Sequence, residues 1–533
     1  MIATVTNMGG HLFIINGDLT KVACDALLIP TDSGCKIEDH WLGFVESRGY
    51  AKPDSWKLDD VFLSASDKTP HIWLGNIGQP TSSADFEAFA PTARAFISQA
   101  KAQLAGVNDD KRIYSWPKKR LAVNVVGSGA GGGVGMKGNL TLGLVQTLTE
   151  SATTHDVDIV LVTWGEKAYA AAQRARRQVI GAEVANAWQF DSRTNSGLLR
   201  EAQTLAEAAK KSHLVLFIGA GVSTGVGLPT WDQLLRDGAE KAGFDSSQIP
   251  LFEGQDYRDQ ATLIDRRMRA ICGDPLDGRS QFKADIAAKL SATQPYSLAH
   301  GLLASLPSKE AVTTNFDVLF EQACKTADAN IAVLPRNPRT ADGRWVLKLH
   351  GSVDDPERMV LTRSDYLEMP RRYGALMGLV QGLLMLRKMV FIGYSLRDED
   401  FHELVDEVRA ARAGATEIVR GTVLSLAEDP LQNQLWGTDL DVVPMIVRAF
   451  DRKNPTEIAL AARELDLFLD LVGYLSTTSA SFFLDDTYSD LTEDEQKLRN
   501  SLIKLQASMR KCERGPVAEL VGEFLHGLGA TDR

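Results

Sequence analysis

Residues Leu214 to Trp231 read LVLFIGAGVSTGVGLPTW. Leu214 to Ile218 is an apolar run of β type. A glycine-dense loop follows at once, with Gly219, Ala220 and Gly221, then Gly225 and Gly227. Pro229 and Trp231 close the loop, and DQLLRDGAEKA after them reads as a helix. Strand, glycine loop and helix together present backbone N–H groups to a phosphate. The plain alternative is a tight strand-to-helix turn with no ligand. A dehydrogenase fingerprint needs a third glycine where Thr224 stands, and an acidic residue ending a second strand. Glu240 has the distance but falls within the helical stretch, so hydride transfer is disfavoured.

Three further segments deliver polar or glycine residues at strand ends. Ala311 to Glu321 reads AVTTNFDVLFE: a short strand, the polar turn Thr314-Asn315-Phe316-Asp317, then a helix. Val346 to Asp354, VLKLHGSVD, is a strand ending in His350-Gly351. Met389 to Asp398, MVFIGYSLRD, is a strand ending in Gly393-Tyr394-Ser395. Open α/β sheets bind their ligands at the carboxyl ends of such strands. Asn315 and Asp317 also suit an Asx-turn or helix N-cap, and His350 also suits a histidine satisfied by backbone.

The set GAGVSTGVGLPTW, TTNFD, KLHGS and FIGYS resembles the sirtuin (SIR2) family in identity and order, over roughly residues 205 to 450. The resemblance implies that Gly219, Ala220, Gly221 and Ser223 line the diphosphate and ribose of NAD. Pro229, Trp231 and Thr314 belong to the same pocket. Asn315 sits beside the nicotinamide ribose and positions water, Asp317 holds the carboxamide, and His350 is the base near the ribose hydroxyls. Gly393 and Ser395 contact the adenosine side. Cleavage of a nicotinamide–ribose bond needs an oriented leaving group, a proton acceptor and a shielded nucleophile, and these residue types serve those needs.

Two departures narrow the reading. Protein-deacylating sirtuins carry a zinc ribbon with paired CxxC motifs. The five cysteines here, Cys24, Cys35, Cys272, Cys324 and Cys512, form no such pair, so no metal is expected. Trp231 is followed by Asp232, not by the arginine found in many deacylases. The resemblance is therefore nearer to the bacterial sirtuin-like, NAD-degrading effectors of antiphage defence, of the Thoeris type, in which water attacks the ribose. NAD would be a substrate. A zinc-free protein deacylase and a non-catalytic nucleotide-binding scaffold are the alternatives.

At 533 residues the chain is long enough for two or three domains. Net charge is −11, which argues against non-specific nucleic-acid binding. Scattered cysteines without a disulfide framework fit a reducing cytoplasm. MIATVTNMGG lacks the basic start and apolar core of a signal peptide. The stretch from Leu376, LMGLVQGLLMLRKMVFIGYSL, is broken by Gln381, Arg387 and Lys388, and reads as a buried helix feeding a core strand rather than a membrane span.

The expected fold is α/β: two Rossmann-like, three-layer domains and a helical C-terminal tail. Residues 1–190 form the first, 198–475 the second, and 476–533 the tail. In the first, strands at Leu12–Asn16, Ala26–Pro30, Leu121–Val126 and Ile159–Thr163 alternate with helices, so the sheet is mostly parallel. Its GDLT turn, followed by an Asp-Ala strand, resembles the macro domain, a module that binds ADP-ribose-type nucleotides; a SLOG-type nucleotide sensor is the alternative. The macro resemblance implies that Asp18 meets the adenine amine and that Gly127, Gly129, Gly131 and Gly132 meet the diphosphate. Pro30-Thr31-Asp32 replaces the usual asparagine-rich turn, which disfavours ADP-ribose hydrolysis. The partners expected are NAD, an ADP-ribose-derived signal nucleotide, further copies of the chain and a phage-sensing protein. The sirtuin resemblance implies that the charged insertion between Gly243 and Pro295, with its neighbours, caps the NAD cleft and gates access.

Overall fold

The computed structural model of the chain describes residues 9–78, 90–106, 114, 116–125, 137–190, 195–272, 280–291, 295–327, 330–338, 343–394, 396, 399–415, 418–448, 450–509 and 515–530. Two sheets organise it. The first contains β1 (Leu12–Asn16), β2 (Ala26–Thr31), β3 (Val61–Ala65), β4 (His71–Asn76), β5 (Arg120–Asn124) and β6 (Asp158–Thr163). Their order is β1-β6-β5-β2-β4-β3, parallel throughout except for the edge strand β3. β3 and β4 fall in a stretch whose sequence shows no clear periodicity. The first sheet is thus mostly parallel, as expected.

The side-chain alternation of these strands separates two faces. Leu12, Ile14, Leu28, Leu121 and Ile159 pack with the helices Ala90–Ala105 and Lys137–His155. Phe13, Ile15, Leu27, Ile29 and Val160 join a core cluster that also holds Leu298, Leu302, Phe468 and Leu471 from the second half of the chain. Each such side chain stabilises the fold by roughly 1.5–3 kcal/mol when removed from water. The second face of the first sheet is therefore completed in part by residues that the sequence assigns to the next domain, through a shared core.

Two helices make that junction. The connector helix, Leu298–Ser305, lies against β1, with Gly301 opposite Ile15; a Cβ added there would stand 2.9 Å from Ile15 Cδ1. The bridge helix, Pro455–Ser476, packs on the helix Asn195–Lys210 and turns charged residues towards the first sheet. Arg463 holds Asp158 through two bonds of 2.6 and 2.8 Å, and Arg120 meets Asp466 at 3.0 Å. Asp470 accepts from Arg176 at 2.7 and 2.9 Å and from Trp188 Nε1 at 2.9 Å. Burial alone would raise the Asp470 carboxyl, but Arg176 and the bond from His11 outweigh it and hold the group well below the usual range.

The second sheet is wholly parallel. It contains β7 (Leu214–Ile218), β8 (Glu310–Thr313), β9 (Ile331–Leu334), β10 (Arg344–Lys348), β11 (Lys388–Ile392), β12 (Gly421–Ala427) and β13 (Leu440–Ile446). The order is β13-β12-β11-β7-β8-β10-β9. From β7 the chain runs outward through β8 to the edge strand β9, steps back to β10, then crosses to β11 on the other flank of β7. The loops after β7 and β11 thus meet at a reversal of winding, where such sheets form a ligand crevice.

The helix before β11, Arg363–Leu386, corrects one expectation. Met369, Val380, Leu383 and Leu384 are buried, while Leu367, Leu379, Met385 and Leu386 are exposed. It is a surface helix with one apolar face against the sheet. The apolar residues between Leu376 and Leu386 fall on both its sides, so the sequence there does not mark which side is exposed. The tail forms two helices, Glu493–Met509 and Pro516–Gly527. Among the described residues no helix is long and apolar enough to cross a membrane.

Candidate active site

Across the carboxyl edge of the second sheet, neighbouring strands β11, β7, β8 and β10 bring Gly393, Gly219 to Ser223, Thr314 to Asp317, and His350 into one row. The glycines are demanded by the crossing of two loops. A Cβ on Gly219 would lie 2.4 Å from Gly393 O, and one on Gly221 2.8 Å from the same oxygen. Gly393 itself has φ +62°, and a Cβ there would lie 2.6 Å from Val222 N.

This crossing corrects the picture of a cradle of free N–H donors. Gly219 N donates to Ile392 O and Gly221 N to Gly393 O, both at 2.9 Å. Two short 3-10 turns, Ala220–Val222 and Thr224–Val226, use further N–H groups within the loop: Val222 donates to Gly219, and Ser223 to Ala220. Ala220 and Gly221 are exposed at the crevice, so the loop offers close backbone approach more than hydrogen bonding. Pro229 and Trp231 are half-buried, and Thr230 caps the Trp231–Lys241 helix through a reciprocal bond with Gln233. A Cβ on Gly225 would lie 3.8 Å from Trp116 Nε1, so the segment before β5 reaches this loop.

Asn315, Asp317 and His350 are all buried. Asn315 N donates to Thr313 Oγ1, but Asn315 Oδ1 has no hydrogen-bond partner among the described residues. Such an orphaned buried acceptor requires a physical explanation. Asp317 is committed on both oxygens: Oδ1 accepts from Leu319 N at 3.1 Å and Oδ2 from Ser223 Oγ at 3.0 Å. The Asx-turn and the site position therefore coexist in this residue. Beside it, the buried Lys348 pairs with Glu321 at 2.9 Å and donates to Asp317 O.

An aromatic wall joins these groups. Trp231 lies 6.3 Å from Phe316 and 6.3 Å from Tyr257; Tyr257 continues to Tyr366, which stands edge-on to His350 at 5.5 Å. Trp231 Nε1 also has no partner among the described residues. Tyr257 and Tyr366, on the helices Tyr257–Cys272 and Arg363–Leu386, carry no sequence motif of their own. His300 was likewise missed; its one sequence signal is the reciprocal Ser297–His300 cap of the connector helix. Ser395, Gly127, Gly129, Gly131 and Gly132 lie outside the described residues. Asp18 makes its own local contacts: its Oδ1 accepts from Thr20 N and Oγ1 at 2.8 Å, while Asp18 N donates to the Tyr296 phenol oxygen at 3.3 Å.

Fold and site together define a Rossmann-like sheet with a glycine crossing and a buried Asn, Asp and His at its carboxyl edge. Residues 309–441 match the SIR2-like domain family. The chain is 28% identical over 210 residues to the NAD(+) hydrolase ThsA of Enterococcus faecium, covering 38% of this chain and 41% of that protein. It is 26% identical over 206 residues to the NAD(+) hydrolase ThsA of Bacillus cereus (strain MSX-D12), covering 38% and 41%. Defense-associated sirtuin 2 of Bacillus subtilis is 26% identical over 211 residues, 38% of this chain and 20% of that protein. These matches span about two fifths, or less, of the relatives' length.

Proposed function

We propose that the chain is an NAD hydrolase, releasing nicotinamide and ADP-ribose. The observation that carries this reading is the buried Asn315 Oδ1, without a partner among the described residues, in a row with His350 and the crossed glycine loops. An amide oxygen so held suits orientation of a water or ribose hydroxyl at the anomeric carbon. The C1′–N bond breaks with its electron pair passing to the nicotinamide nitrogen. Water oxygen bonds C1′, and the water proton passes to His350 as base. Asp317 steadies the carboxamide end. Gly219, Ala220, Gly221, Ser223, Pro229, Trp231, Thr314 and Gly393 enclose the rest of the dinucleotide. The relatives, NAD(+) hydrolases and a defense-associated sirtuin, favour the same chemistry and a role in antiphage defence by NAD depletion.

Residues 1–190 are the sensing unit in this reading, taking an ADP-ribose-derived signal, with 198–475 catalytic and 476–533 a tail. The protein acts in the cytoplasm as a homo-oligomer, with a phage-sensing partner upstream. A signal must favour the active state by a few kcal/mol to switch it, since a population shift needs differential affinity (about 5.5 kcal/mol from 1:99 to 99:1).

The test is nicotinamide release from NAD by the full chain, alone and with ADP-ribose-type nucleotides, beside Asn315→Ala and His350→Ala. Release that either substitution lowers by on the order of a hundredfold or more supports the reading. NAD bound but never cleaved, under any of these conditions, overturns it.

A further inference from the structure

We infer that Tyr296 is the contact through which a nucleotide bound at the first sheet is felt at the NAD site. The inference rests on the sensing and hydrolase readings above. The five parallel strands of the first sheet all end in polar residues: Asn16, Thr163, Asn124, Thr31 and Asn76. Asn16 Oδ1, Asn124 Oδ1 and Asn76 Nδ2 have no hydrogen-bond partner among the described residues. That edge is where a parallel sheet takes a ligand, and the turn of residues 17–23 leaves β1 there.

The second half of the chain clasps this turn. Tyr296 is wholly buried and forms a parallel bridge with Val22; its N donates to Lys21 O and its O accepts from Ala23 N, both at 2.9 Å. Its phenol oxygen accepts from Asp18 N at 3.3 Å and lies 3.1 Å from Thr326 Oγ1. Gly17 makes room for it, since a Cβ there would stand 2.4 Å from the phenol oxygen. Asn16 N donates to Ser305 Oγ at 2.9 Å, and Asn16 Nδ2 to Ala327 O at 3.0 Å. In packing this close the turn cannot shift without moving the phenol. From Tyr296 two short connections lead to the NAD site. Thr326 ends the helix Leu319–Thr326, whose first N–H is held by Asp317 Oδ1 at 3.1 Å. Ser297, next in the chain, donates its hydroxyl to Val222 O of the glycine loop at 2.9 Å. A nucleotide that draws on the turn therefore bears on the glycine loop and on Asp317 together, and it switches the enzyme by binding the active arrangement more tightly.

The experiment compares wild type, Tyr296→Phe, Gly17→Ala and the double variant in the full chain. Nicotinamide release with and without ADP-ribose, the calorimetric Kd of ADP-ribose, and Tm are measured for each. Phenylalanine keeps the ring and the backbone bridge and removes only the oxygen. The expected result is that ADP-ribose raises wild-type release about fivefold or more, whereas Tyr296→Phe binds it, keeps its unstimulated rate and rises less than about twofold. Gly17→Ala drives the phenol aside and lowers Tm; adding Tyr296→Phe removes the atom that the new methyl strikes, so Tm recovers. Full stimulation in Tyr296→Phe, or Tm losses that simply add in the double variant, overturns the inference. Inhibition that is equal in wild type and Tyr296→Phe refutes it as well, because ADP-ribose then acts only by filling the NAD site. If ADP-ribose binds but leaves wild-type release unchanged, the coupling fails and the hydrolase reading stands. If ADP-ribose does not bind, the sensing reading falls and the coupling with it. If the wild type releases no nicotinamide, the hydrolase reading fails by itself, and the coupling is read from NAD affinity. A shift in NAD Kd with ADP-ribose that Tyr296→Phe abolishes supports it, and an equal shift in both proteins refutes it.

Discussion

Gly393 shows how much of the site is set by a single missing side chain. It sits at φ +62°, and a Cβ added there would stand 2.6 Å from the backbone nitrogen of Val222. Alanine there adds a left-handed penalty of about 1–2 kcal/mol, before the contact with backbone is counted. Backbone cannot rotate aside as a flexible side chain can, so the β7 and β11 loops must separate. Gly393→Ala is expected to lower the urea midpoint and weaken NAD binding together; unchanged binding would show that the crossing does not shape the pocket. The sequence made Gly393 visible as a strand-end glycine, but gave no hint that its role is to admit Gly219 and Gly221. The carbonyls that take their N–H groups lie more than 170 residues further along the chain, beyond any local pattern.

At the scale of elements, the connector helix serves two masters. One side carries His300 and Ser297 towards the glycine loop; the other carries Gly301 and Ser305 against β1, where Asn16 N donates to Ser305 Oγ at 2.9 Å. Valine at position 301 would overpack the seam with Ile15, costing about 1–3 kcal/mol. Gly301→Val is expected to lower the thermal midpoint and, because the helix is shared, to change NAD cleavage as well. Full activity at a lowered midpoint would mean that β1 and the site are uncoupled. Leu298 to Ser305 is too short and too evenly apolar for periodicity to reveal two faces. Strands β7, β8, β10 and β11, by contrast, were legible from their apolar runs and punctuating glycines.

At the scale of the molecule, the bridge helix binds the halves with buried charge. Asp466 is pushed up to about 6 by burial, with Arg120 at 3.0 Å pulling the other way. Its folded value lies above the unfolded one, so its contribution to stability is complete below about pH 4 and is lost as pH rises through 6. Asp466→Asn removes that term. The thermal midpoint of wild type minus that of Asp466→Asn should therefore fall between pH 4 and 7; a flat difference would deny Asp466 this role. Nothing in the local sequence predicts this behaviour, because β5 and the bridge helix are more than 300 residues apart.

By itself the sequence determined two parallel-rich α/β sheets, a helical tail and the strand-end motifs, because hydrophobic period and turn residues are local signals. Tertiary structure decided the rest. It set the loop crossing that uses the glycine N–H groups, the orphaned Asn315 acceptor and the aromatic wall from distant helices. It also decided that residues of the second half of the chain complete part of one face of the first sheet. Each of these depends on contacts between segments far apart in the chain, which burial and close packing select and no single stretch encodes.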